Sequence, residues 1–135
     1  MLTIAPPNGC LTGLSFAKAP ALCGTGFHEV APRKSDYALA SAAAQINFVT
    51  GSGVTGIHLG VGSVGDFPER LDVDQLCGTP LDDAAIADAV HSAMQMVETV
   101  EDLHATAAYR KRVATELAIR ALRDARDEIS KDLIQ

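Results

Sequence analysis

YALASAAAQINFVTGSGVTGIHLGVGSV, residues 37–64, carries two conflicting signals. Its alanine density favours helix, because alanine is the best helix former. Yet Ala38, Ala40, Ala42, Ala44, Ile46 and Phe48 alternate with Ser41, Gln45 and Asn47, the period of a half-buried strand. Periodicity alone leaves both readings open. The residues that follow tip the balance: Thr50-Gly51-Ser52-Gly53 is a turn cluster, and the β-branched, glycine-interrupted run after it completes a β-hairpin. Glycines 56, 60, 62 and 65 weaken an ordinary strand, and their expected use is to let a helix or ligand come close to the backbone. They form neither a GxGxxG fingerprint nor a Walker loop, so they specify no phosphate site.

Outward from the hairpin, the two flanks differ. Residues 1–26 contain Pro6, Pro7, Pro20 and several glycines, which predicts an irregular lead-in. From Pro80 the pattern turns helical, with Asp82 or Asp83 as the N-cap and Ile86, Val90, Ala93 and Val97 as an apolar stripe. A break at Thr99–Asp102 precedes a second helix, in which Tyr109, Val113, Leu117 and Ala121 recur every four residues. Its charged residues, Arg110 to Glu128, read as a solvated face with local ion pairs and no specific basic site.

Composition bounds the rest. A chain of 135 residues, 47% hydrophobic and 21% charged, has the size and make-up of one folded domain, here taken as 1–135. With no Trp and 4% aromatics, the core must be built from closely packed Ala, Val, Leu and Ile. A net charge of −6 argues against a nucleic-acid partner, which would require a basic surface. No apolar run approaches the roughly 20 residues that span a bilayer, and the N-terminus has no signal-like pattern, so no membrane partner and a cytoplasmic location are expected. Cys10, Cys23 and Cys77 lack metal-ligand spacing, as do the four histidines; free thiols and no metal site follow as expectations.

Three segments in order resemble the C-terminal domain of the FAD-binding medium subunit of molybdenum hydroxylases, the carbon monoxide dehydrogenase and xanthine dehydrogenase flavoprotein family. They are Leu2-Thr3-Ile4-Ala5-Pro6-Pro7, GTGFHEVAPRKSDYALASAAAQI at 24–46, and EDLHATAAYRKRVATELAIRAL at 101–122. The resemblance implies an α+β fold, a small antiparallel sheet of about three strands packed against a C-terminal helical bundle, and makes the alanine run a strand. It departs from the family at residues 10–23, which are longer and rich in small residues, and at Pro32, where relatives carry a second basic residue.

The resemblance also implies roles. His28, after Gly26-Phe27, falls where relatives place a polar side chain near the isoalloxazine, so Phe27 and His28 are cofactor-binding candidates when a partner chain supplies the rest of the site. Arg33 and Asp36 match the family's arginine–aspartate pair and are expected to form an ion pair that fixes the turn; with His28 and a partly buried Tyr37 they are also the candidates for chemistry. Asp102 is expected to cap the second helix while Arg110 pairs with a neighbouring loop, and Tyr109 is structural. His58 is expected on a surface or interface.

The family's pyrophosphate-binding loops have no counterpart here, so the isolated chain is expected to hold no cofactor, FAD entering only if shared with a partner chain. The implied function is a detached flavin-subunit domain that completes an FAD site and bridges FAD-binding and molybdenum subunits, not catalytic alone. The alternatives are a freestanding, cofactor-independent cyclase or isomerase acting on a small-molecule substrate and expected to form a homo-oligomer, and a small-molecule binding module.

Overall fold

The computed structural model describes residues 8–132. The first of the three resembling segments, Leu2–Pro7, lies outside them. The alternating alanine run is β2 (Ala40–Val49), joined to β3 (Gly53–Gly62) by the expected tight turn, in which Gly51 and Gly53 adopt positive φ and Ser52 N–H donates to the Val49 carbonyl. β1 (Cys23–Val30) and the three-residue β4 (Glu69–Leu71) complete a four-stranded antiparallel meander in the order β1-β2-β3-β4. β1 therefore begins inside the segment expected to be irregular. A single 3₁₀ turn (Asp74–Leu76) leads to α1 (Asp83–Gln95) and α2 (Ala107–Asp132), and these two helices form the layer over one face of the sheet.

The core lies between the layers. Ala40, Ala42, Ala44 and Ile46 of β2 and Ile57, Leu59 and Val61 of β3 point inward, as their period of two requires. On α2 the buried line runs through Arg110, Ala114, Ala118, Ala121, Ala125 and Ile129. Of the stripe expected at Tyr109, Val113, Leu117 and Ala121, Leu117 and Ala121 are buried, whereas Tyr109 and Val113 are only half-buried because Arg110 and Ala114, one position further on, face the sheet.

The close backbone approach expected of glycine does occur, but in β1. A Cβ at Gly24 would collide with the Ala125 carbonyl, and one at Gly26 with the Ala121 carbonyl. The glycines of β3 meet other groups instead: a Cβ at Gly62 would meet Ser41 Oγ, and one at Gly60 the Glu69 carbonyl.

α2 also holds α1 at both ends. Asp82 caps α1 by accepting from Ala85 N–H at 2.9 Å, Arg126 donates to the Leu81 carbonyl and to Asp83, and Lys111 Nζ reaches the Gln95 and Val97 carbonyls beyond the last turn. The hydrogen bond from Arg126, with the nearby charges of Arg123 and Arg126, holds Asp83 below the usual carboxylate range. These cations are tertiary ties, which the expectation of a purely solvated face did not include. Among the described residues, no helix is long and apolar enough to cross a membrane.

Gly26→Ala is expected to force β1 and α2 apart and destabilise the fold by about 1–3 kcal/mol, the usual range for overpacking a filled core. Gly60→Ala, whose added Cβ meets only an ordinary contact at 3.5 Å, serves as the control. Denaturant midpoints of the two variants check this.

Candidate cofactor-facing groove

At one end of the sheet three loops converge: β1–β2 (31–39), β3–β4 (63–68) and α1–α2 (96–106). Arg110, on the first turn of α2, ties them together. Its Nη1 donates to the Leu39 and Ser63 carbonyls, both at 2.7 Å, and its Nη2 to Asp102 Oδ2 at 2.6 Å. Arg110 is 5% exposed and is the sole buried charged side chain among the described residues. Its Nε has no hydrogen-bond partner. Pairing with a neighbouring loop, expected from the sequence, is therefore present, but the residue belongs to the core rather than to a solvated face.

Asp102 does not cap α2. Thr106 does, its Oγ accepting from Tyr109 N–H at 3.2 Å. Asp102 closes its own turn, Oδ1 accepting from His104 and Ala105 N–H, while Oδ2 takes Arg110. The Arg110 hydrogen bond, followed by those two backbone bonds, lowers the Asp102 carboxyl from 3.8 to about 2. Tyr109 is half-buried, with the Arg112 guanidinium 5.7 Å from its ring centroid.

Between the three loops lies an open groove of about 630 Å³, lined in part by Asp36, Tyr37, Ser63, Asp66, Val100 and Arg110. Ser35 and Ser63, beside and within it, hold positive φ of 65° and 61°. Such backbone costs about 1–2 kcal/mol per residue, and at Ser63 it accompanies a carbonyl turned onto Arg110. Tyr37 and Leu103 are fully exposed at the rim, and Phe67 and Val100 are partly so. Tyr37 thus departs from the expected partial burial. The Arg33–Asp36 ion pair is also not formed. A backbone bond from Asp36 N–H to the Arg33 carbonyl fixes the turn instead, and the Asp36 carboxylate accepts from Tyr37 N–H. Among the described residues neither Asp36 nor Asp66 has an ion-pair partner.

The structure does not bring Phe27 and His28 together, since neighbours on a strand face opposite ways. Phe27 projects from the outer face of the sheet, where His58 is also exposed. His28 turns toward α2, its Nε2 lying 2.8 Å from Asp124 Oδ2. Neither residue lines the groove. Ser63 and Asp66 were not among the sequence candidates. Their signal was the glycine-flanked end of the second hairpin strand, which shows a loop but not what it faces. Among the described residues no group of three or more His, Cys, Asp or Glu is placed to hold a metal ion, and Cys10, Cys23 and Cys77 are free thiols.

A family model described as the CO dehydrogenase flavoprotein C-terminal domain matches residues 25–125. The chain belongs to this family. Among solved structures, it is similar to the carbon monoxide dehydrogenase from Hydrogenophaga pseudoflava that lacks the Mo-pyranopterin moiety of the molybdenum cofactor, with TM-score 0.72 and 23% identity over 81% of this chain and 38% of that one. Reconstituted carbon monoxide dehydrogenase from Oligotropha carboxidovorans gives 0.72 and 26% over the same shares. Quinoline 2-oxidoreductase from Pseudomonas putida 86 gives 0.72 and 28%, over 82% and 39%. The flavoprotein C-terminal domain therefore spans about two-fifths of the chains it matches. No match was found among curated proteins. A freestanding cyclase or isomerase is not favoured: the family match points elsewhere, and the groups expected to do chemistry are split between the groove and the opposite side of β1.

Arg110→Lys is expected to destabilise the domain almost as much as Arg110→Met, because an ammonium cannot replace the planar fork that reaches three loops. Each carbonyl left unsatisfied costs about 1–3 kcal/mol. The Asp102 contribution has a defined sign. With its folded value depressed, that contribution is complete above 3.8 and is lost as pH falls through about 2. Acid unfolding of Asp102→Asn should show a correspondingly smaller loss of stability across that window than the parent chain.

Proposed function

We propose that this domain closes one side of an FAD site in a molybdenum-hydroxylase-type assembly, with FAD-binding and molybdenum-bearing chains as partners, and that it is not catalytic alone. The carrying observation is the match to the CO dehydrogenase flavoprotein C-terminal domain over residues 25–125. The groove at the end of the sheet is the surface best suited to the role. It is preformed by the Arg110 ties, lined by both polar and apolar groups, and rimmed by exposed Tyr37 and Leu103.

Its residues fit the ring of a flavin and not the pyrophosphate. The carboxylates of Asp36 and Asp66 can accept from the N–H edge of an isoalloxazine, and Tyr37 and Val100 offer apolar cover. The same carboxylates would repel a diphosphate, and the guanidinium lining the groove is already committed to Asp102 and two carbonyls. Bound FAD supplies electron transfer between two-electron and one-electron partners. This chain's part is to orient the ring through Asp36 and Asp66 and to keep water from one side of it. Arg33, exposed on the β1–β2 loop, is placed to meet a partner chain at the same end.

A complex isolated from native cells through a tag on this chain should carry flavin in its visible spectrum. Asp36→Ala/Asp66→Ala should lower flavin retention about tenfold, equivalent to about 1.4 kcal/mol, without altering thermal stability of the isolated domain. A flavin-free complex, or equal retention by the variant, would count against the reading.

A further inference from the structure

Residues 10–23 precede the family match, and nothing in the proposed flavin role uses them. From Gly9 to Pro20 the chain has neither helix nor strand and is exposed throughout, with Leu11 77%, Leu14 73% and Phe16 85% exposed. Leu14 and Phe16 alternate with Gly13, Ser15 and Ala17, so in an extended strand both large side chains fall on one face. The segment thus has the pattern of a half-buried strand without a sheet.

The sheet has an open edge that fits it. β1 is the terminal strand. Thr25 N–H points away from β2, since it donates to Glu128 Oε2 at 2.5 Å, whereas the Val30 carbonyl accepts from Leu39 N–H on the β2 side. Alternation in an antiparallel pair then turns the Phe27 and Glu29 backbone groups to the free edge as well. Glu128 shields the edge at Thr25 and leaves the stretch from Phe27 to Val30 available. Beside that stretch is a groove of about 580 Å³, where Val30 of β1 faces Val113 and Leu117 of α2. A strand paired there with its large side chains inward would bury them against these three residues.

We propose that the occupant is the Leu11–Ala17 segment of a second copy of this chain, so that two copies exchange strands at their β1 edges. A second copy is favoured over the segment's own chain by the connection. Pro20 fixes its own φ and biases Ala19 to extended backbone, which disfavours the short reversal that would return the segment to its own β1. Exchange of an identical element between protomers is also a low-cost route to a dimer, because both halves of the contact exist in every chain.

The test is the native mass of the full chain, with hydrogen exchange read by segment. The parent is expected at twice the chain mass, with alternate amides of 12–17 and those of Phe27 and Glu29 newly protected. Leu14→Asp/Phe16→Asp alters only exposed side chains and should halve the native mass, exposing both segments. Val113→Asp, on the accepting groove, should do the same, and mixing these two variants should restore a weaker dimer held by one of the two strand contacts, since one variant keeps the groove and the other the segment. A parent that is monomeric at its highest soluble concentration overturns the proposal. So does a dimer that survives both variants, or protection of both segments in a monomer, which would place the strand on its own edge.

Discussion

The architecture depends on how near the backbone of β1 can come to that of α2. At Gly24 and Gly26 even one methyl group would run into the carbonyls of Ala125 and Ala121. The two main chains are therefore in van der Waals contact, and every position along α2 inherits its distance from the sheet there. A larger pair would lift the helix, and the alanines at 114, 118, 121 and 125 would then face a gap. Small residues on both sides are a single requirement met twice. The low aromatic content and alanine-rich composition follow from it, because interiors fill their volume with whatever side chains the layer spacing allows.

That spacing also decides what the N-terminal end of α2 can do. The line of side chains that meets the sheet ends at Arg110, one turn before the alanines begin, and there the strands give way to loops. With the helix this close, the guanidinium lies among three segments that share no hydrogen-bonded ladder, and it replaces the ladder with bonds to Leu39, Ser63 and Asp102. A buried charge is tolerated because its partners include a carboxylate that remains partly hydrated. The groove is thus a consequence of packing in the middle of the molecule, carried to one end by a rigid helix.

Features set by short-range chemistry were legible in the sequence. The turn at 50–53 tipped the alanine run toward a strand, which the family resemblance then settled; Asp82 was one of two caps proposed for α1, and the inward set of β2 followed from alternation. Features set by distant pairs were not. Nothing near Gly24 and Gly26 announces that Ala121 and Ala125 will sit on them. The His28–Asp124 pair joins residues 96 positions apart. By its charge pattern Arg110 is one cation among many on a charged helix; the resemblance gave it a loop partner, but the sequence does not show which of two adjacent helical lines faces the sheet, and so not that it is buried. The expected stripe was right at Leu117 and Ala121 but one position off at its start, where Arg110 and Ala114 rather than Tyr109 and Val113 are buried. The resemblance located the relevant loop at 31–39 but could not tell which of its side chains turn outward. The exposure of Tyr37 and the absence of an Arg33–Asp36 ion pair were therefore not foreseen.

The electrostatics of the fold bear on what must come from elsewhere. A diphosphate is held most readily where a helix N-terminus offers free N–H groups and a favourable dipole. Here both such ends are already engaged. Asp82 accepts from the first turn of α1, with Asp83 beside it held by Arg126, and Thr106 does the same for α2. The end of the sheet that carries the groove adds Asp36 and Asp66, and a chain with net charge −6 has little positive field to offset them. A cofactor with a neutral ring and an anionic tail would therefore meet this domain ring-first, its tail directed to another polypeptide. On the proposed reading, the division of a flavin site between chains or domains would follow from where the charges of this fold are already engaged.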